Sequence, residues 1–177
     1  MKKILINLAI LLSVYIITLL EVVFLKQISI FSIIPNFLII VTVFLIDYLD
    51  RFTYMTMLVL IGIYIDIVFS MNIGFTSAAL LICAFTDEIM DNILYQDNRL
   101  IYIIRILTLT FIFNITYYMF RVVLYNLDIQ FIQLLLQTTT VAILNILLGI
   151  IIYRPLKFVG LKIEKFYKKS NILTRYF

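Results

Sequence analysis

Three ionisable side chains sit inside long apolar runs of this sequence: Glu21, Asp66 and Arg121. If those runs cross a membrane, each charge costs about 2.5–3.5 kcal/mol on insertion scales and calls for a partner, water or a purpose. Asp66 has Gly62 and Ser70 one turn to either side of it on the same helical face. A small, polar stripe of that kind suits close helix packing around an inward carboxylate. Arg121 shares a face with Asn114 and Thr110, so two acids and one base at one level make a candidate buried ion cluster, with Asp66 held by Arg121. The plainer alternative has Glu21 and Arg121 snorkelling to headgroups, which suits the shorter, deeper Asp66 less well.

A second group, Asp47, Asp87, Glu88, Asp91 and Arg105, gathers near the opposite helix ends. Asp87 and Asp91 are one turn apart, a spacing a hard cation can use, but two carboxylates without further ligands define no metal site. A solvated helix end, or pairing with Arg105, is the favoured reading. Further on, Thr138, Ala142, Asn145 and Gly149 are spaced four, three and four, which reads as a helix–helix seam. Gln133 and Gln137 lie a quarter-turn or more from it and face a partner or an internal cavity. The one cysteine, Cys83, lies in an apolar run and reads as a small buried hydrophobe. Histidine is absent, so a zinc or haem site lacks its usual ligands and no intrachain disulfide can form. Without a nucleophile–base pair, glycine-rich phosphate loop or metal-ligand spacing, neither enzyme chemistry nor a cofactor is expected.

The elements that must position these residues are membrane helices. The 177 residues are 64% hydrophobic and 14% charged, with a mean hydropathy of +1.14, against about 25% charged in a typical soluble domain. So small a soluble fold cannot bury that much apolar surface, and lipid must be the solvent for much of it. The spans expected are Ile4 to Leu25, Asn36 to Leu49, Thr53 to Ser70, Phe75 to about Met90, Leu100 to Leu124 and Ile129 to Tyr153. The stretch Gln27 to Ile34 is placed as an interfacial loop stopped by Pro35, and Pro155 ends the last span. The first run lacks a small-residue cleavage site and is expected to stay as a span. The whole is an all-α polytopic bundle of about six transmembrane helices over residues 1–155, followed by a cytoplasmic tail, 156–177.

Orientation follows from the Lys and Arg placement. Of the 14 basic residues, Lys26 and Arg121 fall outside; Lys2, Lys3, Arg51, Arg99, Arg105 and the seven from Arg154 onward fall inside. That asymmetry places both termini in the cytoplasm, and reads the net charge of +4 as membrane orientation rather than nucleic-acid binding. In the tail, Leu156, Val159, Ile163, Phe166 and Tyr167 share one helical face, with Lys157, Lys165 and Lys168 on the other. Such a basic amphipathic helix suits an anionic inner leaflet, with membrane lipid as its partner.

Two segments carry a resemblance to a known family. Ile34-Pro35-Asn36-Phe37-Leu38 leads into a purely aliphatic span, and Gly62-Ile-Tyr-Ile-Asp66-Ile-Val-Phe-Ser70-Met-Asn-Ile-Gly74 ends the third span in a glycine turn. With Asn145 in the last span and Tyr153-Arg154-Pro155-Leu156 leaving it, the chain resembles the rod shape-determining protein MreD family. Asn36 stands where that family commonly has aspartate, and its glycines are sparser here. The resemblance implies a non-enzymatic scaffold of the cell-elongation complex in the bacterial inner membrane, helping control cell shape and peptidoglycan synthesis. Its partners would be the bitopic protein MreC, with actin-like MreB and the elongation synthases in the wider complex. It also implies a fold similar to the substrate-binding subunits of energy-coupling-factor vitamin transporters, which supplies the rival function. Ala9 and Ser13 give only one of the small-residue pairs such a subunit would want on its first helix. A proton- or ion-coupled carrier using Glu21 and Asp66 is a third, less supported reading.

Overall fold

The computed structural model describes residues 2–20, 35–69, 72–93, 99–128 and 130–173. Among these, every regular element is helical: α1 (Lys2–Leu20), α2 (Phe37–Tyr48), α3 (Arg51–Phe69), α4 (Phe75–Ile93), α5 (Arg99–Tyr125) and α6 (Phe131–Leu173). Three are long and apolar enough to cross a membrane, over Arg51–Val68, Arg99–Tyr125 and Phe131–Lys165. α1 and α2 hold shorter apolar stretches, Ile6–Thr18 and Phe37–Tyr48, and α4 carries Asp87, Glu88 and Asp91 in its last two turns. Glu21, Ser70 and the expected loop Gln27 to Ile34 lie outside the described residues.

The second helix keeps its expected bounds to within one residue at each end, but its setting differs. It has 12 residues, about 18 Å at 1.5 Å rise, well short of a hydrocarbon core of about 30 Å. Every residue from Phe37 to Leu45 is buried. A helix that is apolar all round belongs inside a bundle, and α2 touches all five other helices. Pro35 precedes it, and Asn36 caps it in an extended backbone conformation, its side-chain oxygen accepting from the Leu38 N–H at 3.1 Å. At the other end the Leu49 N–H closes on the Leu45 carbonyl at 3.0 Å, before Asp50 turns the chain into α3.

Two antiparallel hairpins, α3–α4 and α5–α6, surround this central helix. In the first, Gly62 lets the backbones touch: a Cβ there would fall 2.4 Å from the Ser77 Cα and 2.5 Å from its N. The hairpin turns at Gly74, whose φ of +103° suits glycine alone. In the second, Gly149 accepts the Ile106 side chain, and the Tyr102 and Tyr153 rings meet with centroids 4.9 Å apart. α1 lies against α2, α3 and α6, leaving a cavity of about 250 Å³ beside Val14, Tyr15, Leu60 and Tyr64.

Pro155 does not end the last helix. α6 runs on through it to Leu173, 43 residues in all. Proline removes only one intrahelical bond, that of the Ile151 carbonyl, and Ile151 is already 71% exposed. Packing beyond the proline holds the helix together: Gly160 sits against the Tyr48 ring of α2, where a Cβ would lie 2.2 Å from ring carbon, and Ile163 is buried. The division at residue 155 is therefore not a break in structure. Nor does the expected apolar face of the tail survive whole. Leu156 and Ile163 turn to the bundle, Val159 is exposed, and the side chains of Phe166, Tyr167 and Lys168 lie outside the described residues.

Candidate functional site

The buried polar residues form three clusters at successive levels of the bundle. At the level of the α2 C-terminus, Arg105 of α5 donates from Nε to Asp87 Oδ1 at 2.8 Å and from Nη2 to Asp87 Oδ2, a two-pronged pairing with α4. Its Nη1 reaches Asp47 Oδ1 of α2 at 2.7 Å. The Asp87 side chain has no exposure and that of Arg105 only 6%, while Asp47 is 28% exposed and opens the cluster to its surroundings. One guanidinium thus ties three helices together. Alongside it, Tyr54 of α3 donates to Glu88, which also pairs with the exposed Arg51 at 3.2 Å. The preference for Arg105 pairing over a cation site is met at Asp87: both its oxygens are engaged by the guanidinium. The Asp91 side chain lies outside the described residues.

The second cluster sits midway along the apolar stretch of α6. Asn145 is fully buried. Its Oδ1 accepts the Asn36 backbone N–H at 2.7 Å, and its Nδ2 donates to Thr110 Oγ1 of α5 at 3.0 Å. Thr110 in turn donates to the Ile106 carbonyl within its own helix. The reason for this arrangement is the short α2. A helix that starts inside the bundle leaves its first N–H groups without water. Pro35 has no N–H, the Asn36 side chain satisfies Leu38, and Asn145 satisfies Asn36. Thr138, Ala142, Asn145 and Gly149 are all buried, so the expected seam is a contact inside the bundle, chiefly with α5, rather than one left open for a partner.

At the third level, Asp66 is fully buried, as its depth in the sequence implied, but its partner is different. Oδ2 accepts the Gly74 N–H at 2.7 Å and the Thr76 N–H at 3.1 Å. Arg121 is exposed on α5, and no ion pair joins it to Asp66. The expected Asp66–Arg121 pair is therefore replaced by a carboxylate on the first turn of α4, where the orphan N–H groups and helix dipole favour an anion. Asp66 fixes the α3–α4 hairpin at its turn, one helical turn beyond the close Gly62–Ser77 contact. Asp66→Ala is accordingly expected to lower stability by about 1–3 kcal/mol, and Asp66→Asn by about 1 kcal/mol. Arg121→Gln should stay within about 0.5 kcal/mol of the parent. Unfolding of purified variants in mixed micelles measures all three, and a large Arg121 effect would restore the pair.

Cys83 is buried, with its sulfur 3.7 Å from the Leu109 carbonyl. Sequence reasoning gathered the acids with Arg105 but missed Tyr54, and it gave Asn36 and Asn145 no common role. Opposite charges near helix ends on the same side signal themselves in sequence; an amide partner 109 residues away does not. Taken together, the three clusters join helix to helix through groups that satisfy one another. Neither protein-family models, curated proteins nor solved structures match this chain.

Proposed function

We propose that this chain is a non-enzymatic scaffold of the MreD type, a six-span protein of the bacterial inner membrane with both termini in the cytoplasm. It binds an MreC-like bitopic partner and, through it, the actin-like MreB and the elongation synthases that shape the cell wall. The observation that carries the reading is the Asn36–Asn145 bond. The two residues lie in separate segments that carry the resemblance, although Asn36 itself replaces an aspartate, and they meet at the start of the short central helix. The other resemblance residues also lie at joints: Gly62 against Ser77, Asp66 on the Gly74 turn, and Tyr153 against Tyr102.

The vitamin-transporter reading wants a polar, outward-opening pocket. The cavity between α1 and α3 has almost wholly apolar walls, including Leu11, Leu12, Leu60 and Ile61, and so lends that rival no support. A pull-down from native membranes separates the two. A bitopic shape-complex partner is expected to co-purify, whereas recovery of a transporter's ATPase and coupling subunits would overturn the proposal. Topology is checked by reporter fusions. One after Phe177 and one between Asp91 and Arg99 should be cytoplasmic, and one at Asn72 should be outside, in line with the basic-residue asymmetry.

A further inference from the structure

Helix α6 has a second seam, opposite the buried one. Gln133, Gln137, Thr140, Leu144, Leu147 and Ile151 follow one another at spacings of four, three, four, three and four, the 3.5-residue repeat of a helix that packs along another helix. None of the six is buried, and Leu147 and Ile151 are 54% and 71% exposed. From Gln133 to Ile151 the seam runs about 27 Å, close to one hydrocarbon thickness. It stops at Arg154, which is exposed. The two glutamines make no side-chain hydrogen bond among the described residues. Around them stand Ile132 and Leu136, exposed and apolar, so the free amides lie on a surface otherwise suited to lipid. Primary amides facing hydrocarbon are costly.

We propose that this seam is the interface between two parallel copies of the chain, related by a twofold axis along the membrane normal. The amide chemistry selects the occupant. A glutamine side chain both donates and accepts, so the same residue in a second copy satisfies it across the axis without any further group. Copies inserted with one orientation can bring α6 against α6 in register only about such an axis, giving a self-complementary interface. The 3.5-residue repeat sets a left-handed crossing of about +20°. Polar residues at Gln133 and Gln137 fix the register, and Leu144, Leu147 and Ile151 interdigitate below them. Past the seam, Arg154 and its symmetry mate part toward water. The proposal does not depend on the scaffold reading, because it concerns the chain alone.

The test uses the full-length protein, first in native membranes and then purified in mild detergent. Gln137→Cys and Leu147→Cys are oxidised with copper phenanthroline; the native Cys83 is buried and shielded from the reagent. Each should give a disulfide-linked band at twice the 20.8 kDa monomer mass. Leu135→Cys, rotated by about 200° from position 137, should give at least about fivefold less. Independently, Gln133→Leu with Gln137→Leu should weaken dimerisation of fluorescently labelled protein about tenfold, the scale of two interhelical hydrogen bonds. A purified protein that stays monomeric, or equal cross-linking at positions 135 and 137, overturns the proposal. Cross-linking in membranes to a band of another mass also overturns it, and assigns the seam to a different protein's helix.

Discussion

Replacing Arg105 with Met is expected to lower the stability of the folded bundle by about 3–5 kcal/mol, the cost of leaving a buried partner charge uncompensated. The reason is the asymmetry of the cluster. Asp87 has no exposure and receives both prongs of the guanidinium, so it has no water to turn to once Arg105 is gone. Asp47 is partly exposed, and Asp47→Asn should cost well under half as much. Arg105→Met combined with Asp87→Leu should do less harm than the sum of the two single changes, with a coupling of about 0.5–3 kcal/mol. Denaturant titration of purified protein in mixed micelles measures each value. An Arg105→Met protein within about 1 kcal/mol of the parent would mean that the guanidinium does not hold α2, α4 and α5 together.

The second large effect belongs to Asn145. Asn145→Leu keeps the branching and heavy-atom count of the side chain but leaves the Asn36 N–H without an acceptor inside the bundle, at a cost of about 1–3 kcal/mol. Thr110→Val removes only the other bond of Asn145 and should cost about 1 kcal/mol. Combining them should add little to Asn145→Leu alone, because the Thr110 bond is already lost in that variant. Amide hydrogen exchange supplies a local readout. The Asn36 amide should exchange much faster in Asn145→Leu and remain protected in Thr110→Val. Equal protection in both variants would show that the start of α2 is held by something other than the Asn145 side chain.

These residues also mark where the sequence was legible. The helical class and the positions of α3, α5 and most of α6 follow from apolar runs, because lipid and protein core both select the same residues. That same equivalence gave the bounds of α2 but hid its setting. A run such as Leu38-Ile-Ile-Val-Thr-Val-Phe-Leu45 reads alike whether it faces lipid or neighbouring helices, so its enclosure by five helices was not visible. Asp66 shows a different limit. Its burial could be inferred from its depth and its small neighbours, but its partners are backbone N–H groups, which no side-chain pattern displays. A cation of opposite charge was the visible candidate and the wrong one. At Pro155 a local rule lost to tertiary packing, since the Tyr48–Gly160 contact that carries the helix onward joins residues from opposite ends of the chain.

The Asn36–Asn145 bond also sets a clock. The acceptor lies 109 residues downstream of the N–H it serves. At a synthesis rate of about 5–20 residues per second, roughly 5–20 s pass between making the one and making the other. Throughout that interval α2 is too short to span by itself and its first amide has no partner in the chain, so it must rely on water or on another protein. The helix at the centre of the finished bundle is therefore among the last to be completed, and the step that completes it is the arrival of the final helix.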